Sequence, residues 1–120
     1  MPLIDKHIKQ AGHNERFVNS FVVESTPFAD WVLTGIFYAA LHYIEAFFST
    51  KNIHTASHYQ RDTEVGLNSQ PIYSDYRDLK AYSYGARYLC KTFSGKDINE
   101  SKSKLDNIKN YLKTSLPQIA

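Results

Sequence analysis

The sequence is short of several things that would announce a function. It holds one cysteine, Cys90, which excludes an internal disulfide and any multi-cysteine zinc site and fits a chain kept in a reducing, intracellular compartment. No basic, apolar, small-residue leader opens it, so the expected location is the cytoplasm. Charge of one sign is scarce as well. Fourteen Lys and Arg stand against twelve Asp and Glu, a formal net charge of +2, too mild for the basic surface that tracks a phosphate backbone unless the cations cluster locally. GKDINES, from Gly95 to Ser101, lacks the spacing that cradles phosphates, and neither a His-Glu-x-x-His zinc helix nor a serine nucleophile elbow occurs. No segment alternates apolar and polar residues, repeats itself or has low complexity. Nothing in these patterns requires a cofactor or a metal.

What is present describes one helical domain over residues 1–120. A chain of 120 residues is long enough for a single core and too short for two. Its 42% hydrophobic and 22% charged content is ordinary, whereas 14% aromatic, with nine Tyr and seven Phe, is high and points to packed surfaces that also carry hydroxyls. The organising stretch is Pro27 to Phe48, PFADWVLTGIFYAALHYIEAFF. It is nearly long enough to cross a bilayer, but Asp30, His42 and Glu45 would be costly in lipid, so a buried core helix and no membrane contact are expected. Asp30, Thr34, Tyr38 and His42 follow at steps of four, with Glu45 three further on. At 3.6 residues per turn these side chains form one slowly drifting polar stripe on an otherwise apolar helix.

Helical spacing also marks Leu3 to about Val23, with its polar residues, His7 and Glu15 among them, on the outer face. Thr26 is expected to cap the central helix with Pro27 at its first position. Ser57 should cap a short helix ending near Val65, with Gly66 as its stop signal, and Pro71 should open a second long helix from Ile72 to about Phe93. Ser94 and Gly95 break that helix, and Asp97 or Asn99 can cap a last one carrying Leu105, Ile108, Tyr111, Leu112 and Leu116, with Pro117 ending it. The class is therefore all-α, a bundle of four long helices and one short one.

Three groups of residues could carry chemistry. His42 and Glu45, three apart on a helix, can touch or share a metal. Di-metal bundles, however, use Glu-x-x-His twice, and here the order is reversed and unrepeated, so a hydrogen-bonded buried histidine is the expectation and metal is not. His58 and Arg61, with His54 nearby, face the same way on the short helix and together with Arg87 could hold an anion. Arg87 and Tyr88 lie in a mostly apolar helix, where Arg87 could pair with Asp30 or Glu45 across the core. Tyr59, Tyr73 and Tyr84 offer an aromatic surface for docking another protein.

HIKQAGHNERFVNS, then ADWVLTGIFYAALHYIEAFFSTKNIHTASHYQR, then YRDLKAYSYGARYL together resemble the HEPN superfamily of small helical bundles, in particular its stand-alone branch, over roughly Ile4 to Phe93. The segment FYAALH with Ser57-His58 about fifteen residues on carries most of the likeness. The resemblance implies an antiparallel four-helix core with a short extra helix, commonly a homodimer. Many relatives are ribonucleases, often toxins paired with a nucleotidyltransferase antitoxin, and others bind without catalysis. Catalytic relatives carry Arg, four to six residues, then His. The four arginines here, Arg16, Arg61, Arg77 and Arg87, have no histidine at that distance, and Thr92, Phe93 and Ser94 follow Arg87 where it would stand.

The expectation is accordingly a non-catalytic or degenerate HEPN-like module, dimeric, that binds nucleotide, RNA or a protein partner through Tyr38, His42, His58, Arg61, Arg87 and Tyr88. The alternatives are a metal-independent ribonuclease using a rearranged set drawn from His42, His58, Arg61 and Arg87, since RNA cleavage needs a group titrating near neutrality and a cation, and a plain helical adaptor.

Overall fold

The structure, a computed structural model, describes residues 2–119, and among them it contains helices and connecting turns only. The helices are α1 (Pro2–Asn19), α2 (Ala29–Thr50), α3 (His58–Asn68), α4 (Tyr73–Tyr88) and α5 (Gly95–Leu112), with a 3-10 turn at Gln70–Ile72. The all-α reading of the apolar spacing is met.

Helix α2 is the axis. It packs against α1, α4 and α5, and 16 of its 22 residues are buried. By length and composition it is the one helix among the described residues that could cross a membrane, yet 83% of its apolar window is covered by the rest of the protein. Burial on nearly every side is what a helix with this little polar surface requires. Gly35 allows the closest approach, because a Cβ there would lie 2.8 Å from Val18 Cγ2 and 3.3 Å from the Phe17 ring. Few residues of α2 keep any solvent exposure: Asp30, Trp31, Gly35, Tyr38, His42 and Thr50. Most of them belong to the polar stripe or lie next to it.

The helix ends differ from the spacing in instructive ways. α1 stops at Asn19 rather than Val23: the Ser20 hydroxyl bonds the Phe17 carbonyl at 2.6 Å and the chain turns. Phe21 and Val23 then reach the core from the connection. Thr26 does accept a backbone N–H, that of Phe28 at 3.1 Å, but the cap position of α2 falls on Phe28 and the helix begins at Ala29. The Ser57 cap is present, its hydroxyl accepting from Gln60 N. α3 then runs through Gly66 to Asn68: the Gly66 backbone is not left-handed, so it does not act as a stop, and a Cβ there would meet the Tyr73 ring at an ordinary 3.7 Å. At α5 the cap is Ser94, and Asp97 is its capping-box partner at the third helical position, not the cap itself. α5 ends at Leu112, and Leu116 and Ile119 are buried from the turns that follow.

The largest difference lies after α4, which ends at Tyr88 and not Phe93. Cys90 adopts a left-handed backbone, φ 52°, a conformation that favours glycine or asparagine and reverses the chain. The returning segment lies over Gly85, where a Cβ would come within 3.2 Å of Lys91 Cδ and 3.4 Å of the Phe93 ring. Phe93 still packs edge-on against Tyr82, centroids 5.9 Å apart, so the side chain belongs to the α4 face while its backbone does not belong to the helix.

Candidate functional site

The polar stripe of α2 meets a different neighbour at each step. Thr34 Oγ1 donates to the Asp30 carbonyl at 2.9 Å, a bond within the helix. The Tyr38 hydroxyl accepts from Arg87 Nη1 on α4 at 2.9 Å. His42 Nδ1 lies 3.0 Å from His7 Nδ1 on α1. Glu45, buried, receives Arg61 Nε of α3 at 2.7 Å and is hydrogen-bonded by the Thr55 hydroxyl. One sequence feature thus supplies the polar ties to three other helices.

Around Glu45 the arrangement is closed. The Arg61 and Glu45 side chains are 12% and 8% exposed, a pair whose attraction is little screened by water. Arg61 Nη1 also lies 3.0 Å from His58 Nδ1, so the His58 and Arg61 expected to face the same way are in contact. Partial desolvation holds the His58 imidazole below its usual range, followed by the positive charges of Arg61, Lys80 and Arg87, with Asp62 opposing them. His7 and His42 are also lowered. For both, burial is the main cause; Arg61 adds to it and Glu45 opposes it, and His7 contributes directly to the shift at His42. The Nδ1 to Nδ1 contact needs one ring to donate and the other to accept, so the two cannot both be protonated in this geometry. Among the described residues no three His, Cys, Asp or Glu side chains are arranged to hold a metal ion.

Arg87 corrects one expectation. It pairs with neither Asp30 nor Glu45; Glu45 is taken by Arg61, and Arg87 donates instead to Tyr38 and, through Nε at 3.3 Å, to the Ser83 carbonyl. Its guanidinium lies over two rings, 5.5 Å from Tyr38 and 5.0 Å from Tyr88, which fixes its plane and leaves donors unused. Beside it a cleft of about 280 Å³ is lined by Asp30, Trp31, Thr34, Ala86, Arg87 and Tyr88. Trp31 and Tyr88 are 58% and 62% exposed. Of the tyrosines considered for docking a protein, Tyr59 and Tyr84 are exposed, while Tyr73 is half-buried beneath Arg77.

Of the six residues singled out in the sequence, Tyr38, Arg87 and Tyr88 come together, His58 and Arg61 come together, and His42 faces α1. His7, Thr55 and Trp31 were missed. His7 carried a signal: Ile4, His7, Ile8 and Ala11 follow the i, i+3, i+4, i+7 rule of one helix face, so His7 belongs to the buried stripe and not to the outer face. The same spacing places Glu15 between Ala11 and Val18, where it accepts from Lys109 Nζ at 3.1 Å and from the Tyr43 hydroxyl, tying α1, α2 and α5. Comparison with protein-family models, curated proteins and solved structures gives no match.

Proposed function

We propose that the chain is a non-catalytic, HEPN-like module, an antiparallel four-helix bundle with one short extra helix, that pairs as a homodimer and binds nucleotide or RNA beside Arg87. The observation that carries this reading is the division of labour among the cations. Arg61 is spent on buried Glu45, and His42 is engaged by His7. Arg87 has no carboxylate partner among the described residues and stands at the wall of an open cleft. A bound phosphate would meet a guanidinium already oriented by Tyr38 and the Ser83 carbonyl, the pre-organised donor fork that suits phosphate oxygens.

The purified protein is expected to leave single-stranded RNA intact and to bind it in a salt-sensitive way, with Arg87→Ala weakening binding about tenfold or more. Binding unchanged in that variant would sink the reading. One observation favours a second reading, a metal-independent ribonuclease: exposed His58, held below its usual range and so neutral at pH 7, lies within hydrogen-bond distance of Arg61. RNA cleavage that disappears in His58→Ala would establish it in place of the first.

A further inference from the structure

The cleft between the start of α2 and the end of α4 offers three different kinds of contact to one small ligand. Trp31 and Tyr88 are exposed aromatic side chains in its lining, and Arg87 lies over the Tyr88 ring. Tyr88 is paired with Tyr84, centroids 5.2 Å apart, whereas Trp31 stacks on no ring among the described residues. The Asp30 carboxylate, which lines the same cleft, accepts no hydrogen bond and enters no ion pair among the described residues. Arg87 uses two of its donors on Tyr38 and Ser83, and a guanidinium has five. Asp30 also lines a neighbouring cleft of about 220 Å³ that holds Lys91.

Each contact narrows the ligand. The aromatic faces call for a flat π system. The guanidinium at the wall asks for an anionic group, and the carboxylate beside it asks for donors, so a guest carrying both suits the cleft better than a simple ion. The carboxylate, an acceptor with no donor of its own, asks for a flat ring whose edge carries donors. Among nucleobases, guanine sets a ring N–H and an exocyclic amine side by side on its Watson–Crick edge, matching the two oxygens of one carboxylate. Adenine and cytosine place a ring acceptor on that edge, which would face Asp30 lone pair to lone pair, and uracil flanks its single N–H with two carbonyls.

We propose that this cleft is a guanine-selective site, in which the base stacks on Trp31 beside Tyr88, its donor edge is read by Asp30, and its phosphate is held by Arg87. This rests on the nucleotide-binding reading above and adds the identity of the base. The shared ligand chemistry is a guanine carrying a 5′-phosphate, free or within single-stranded RNA.

Trp31 is the chain's one tryptophan, so a base stacked on it reports directly through intrinsic fluorescence. The full chain is titrated with GMP, AMP, IMP, guanosine, and short single-stranded RNAs with and without guanine. GMP should quench saturably and bind about tenfold or more tighter than AMP, the discrimination expected of a bidentate contact, with IMP between them and guanosine weaker than GMP. Asp30→Asn, checked for helix content by circular dichroism, should bring GMP down to the level of AMP. Calorimetry on Trp31→Phe, where stacking is retained, should preserve the preference. Tighter binding of the guanine-containing RNA than of GMP assigns the site to RNA, and the reverse assigns it to the free nucleotide. Equal binding of GMP and AMP, or a preference that survives Asp30→Asn, overturns guanine selection while leaving the nucleotide reading in place. No quenching and no heat with any nucleotide or RNA removes both.

Discussion

The two ends of the polar stripe on α2 behave in opposite ways. Toward its C-terminal end, Glu45 and His42 each face a partner from another helix, Arg61 and His7, the first pair largely buried and the second half-buried. Toward its N-terminal end, Asp30 has no side-chain partner among the described residues, Trp31 lies in the open, and Arg87 across the cleft is oriented but not neutralised. The lesson is that polar residues on a buried helix do not form one class. Where neighbouring helices supply complementary groups the stripe is structural, and where α4 ends and the chain turns away the same stripe is left available.

The sharpest way to break this comparison is at the closed end. Arg61→Ala strands the buried Glu45 carboxylate and should cost on the order of 3 kcal/mol, measured by urea denaturation. A cost below about 0.5 kcal/mol, the size expected of a surface change, would mean the two ends are alike. The histidine pair gives the next effect. Both rings are lowered in the folded protein and titrate near pH 6.5 when unfolded, so the unfolded chain binds more protons in acid. The stabilisation is full above that pH and lost as the pH falls through the folded values, at up to about 1.4 kcal/mol per pH unit for each proton. The double variant His7→Gln, His42→Gln should flatten that part of the stability profile between pH 7 and pH 5; an unchanged slope would remove the pair from the account.

Gly35→Ala should destabilise by about 1 kcal/mol or more, because the clash with Val18 outweighs the better helix propensity of alanine. Thermal unfolding reads this directly, and a raised midpoint would show that α1 can retreat freely. Cys90→Gly relieves a left-handed non-glycine residue and should stabilise by about 1 kcal/mol. The smallest effect belongs to the open end: Trp31→Ala should change stability by no more than about 0.5 kcal/mol. A loss of several kcal/mol would make Trp31 part of the core and close the distinction between the two ends.

The helices were legible in the sequence because their apolar spacing is long and regular, α2 above all. Their ends were not, since an end is decided by where backbone groups find partners. Ser94 and Asp97 were both visible as capping residues, but their roles depended on a reciprocal bond that spacing does not reveal. Phe93 kept the α4 spacing and still left the helix, because Gly85 offered a seat for a ring arriving from outside. At the site, the composition of the stripe was readable and its partners were not. His7 sat on the buried face by its own spacing, yet that Nδ1 would meet His42 depended on how α1 is placed along α2. Arg87 had two carboxylates within its expected reach on α2, Asp30 and Glu45, and the geometry joined it to the hydroxyl of Tyr38 instead.

The return of the chain over Gly85 also works as a length gauge. Only residues 89–93 separate α4 from the Ser94 cap of α5, and Phe93 seats over a backbone with no side chain to hold it off. Adding one residue to that stretch would put Phe93 and the α5 cap out of step with each other, so this connection, although it runs along the surface, should accept substitutions far more readily than insertions.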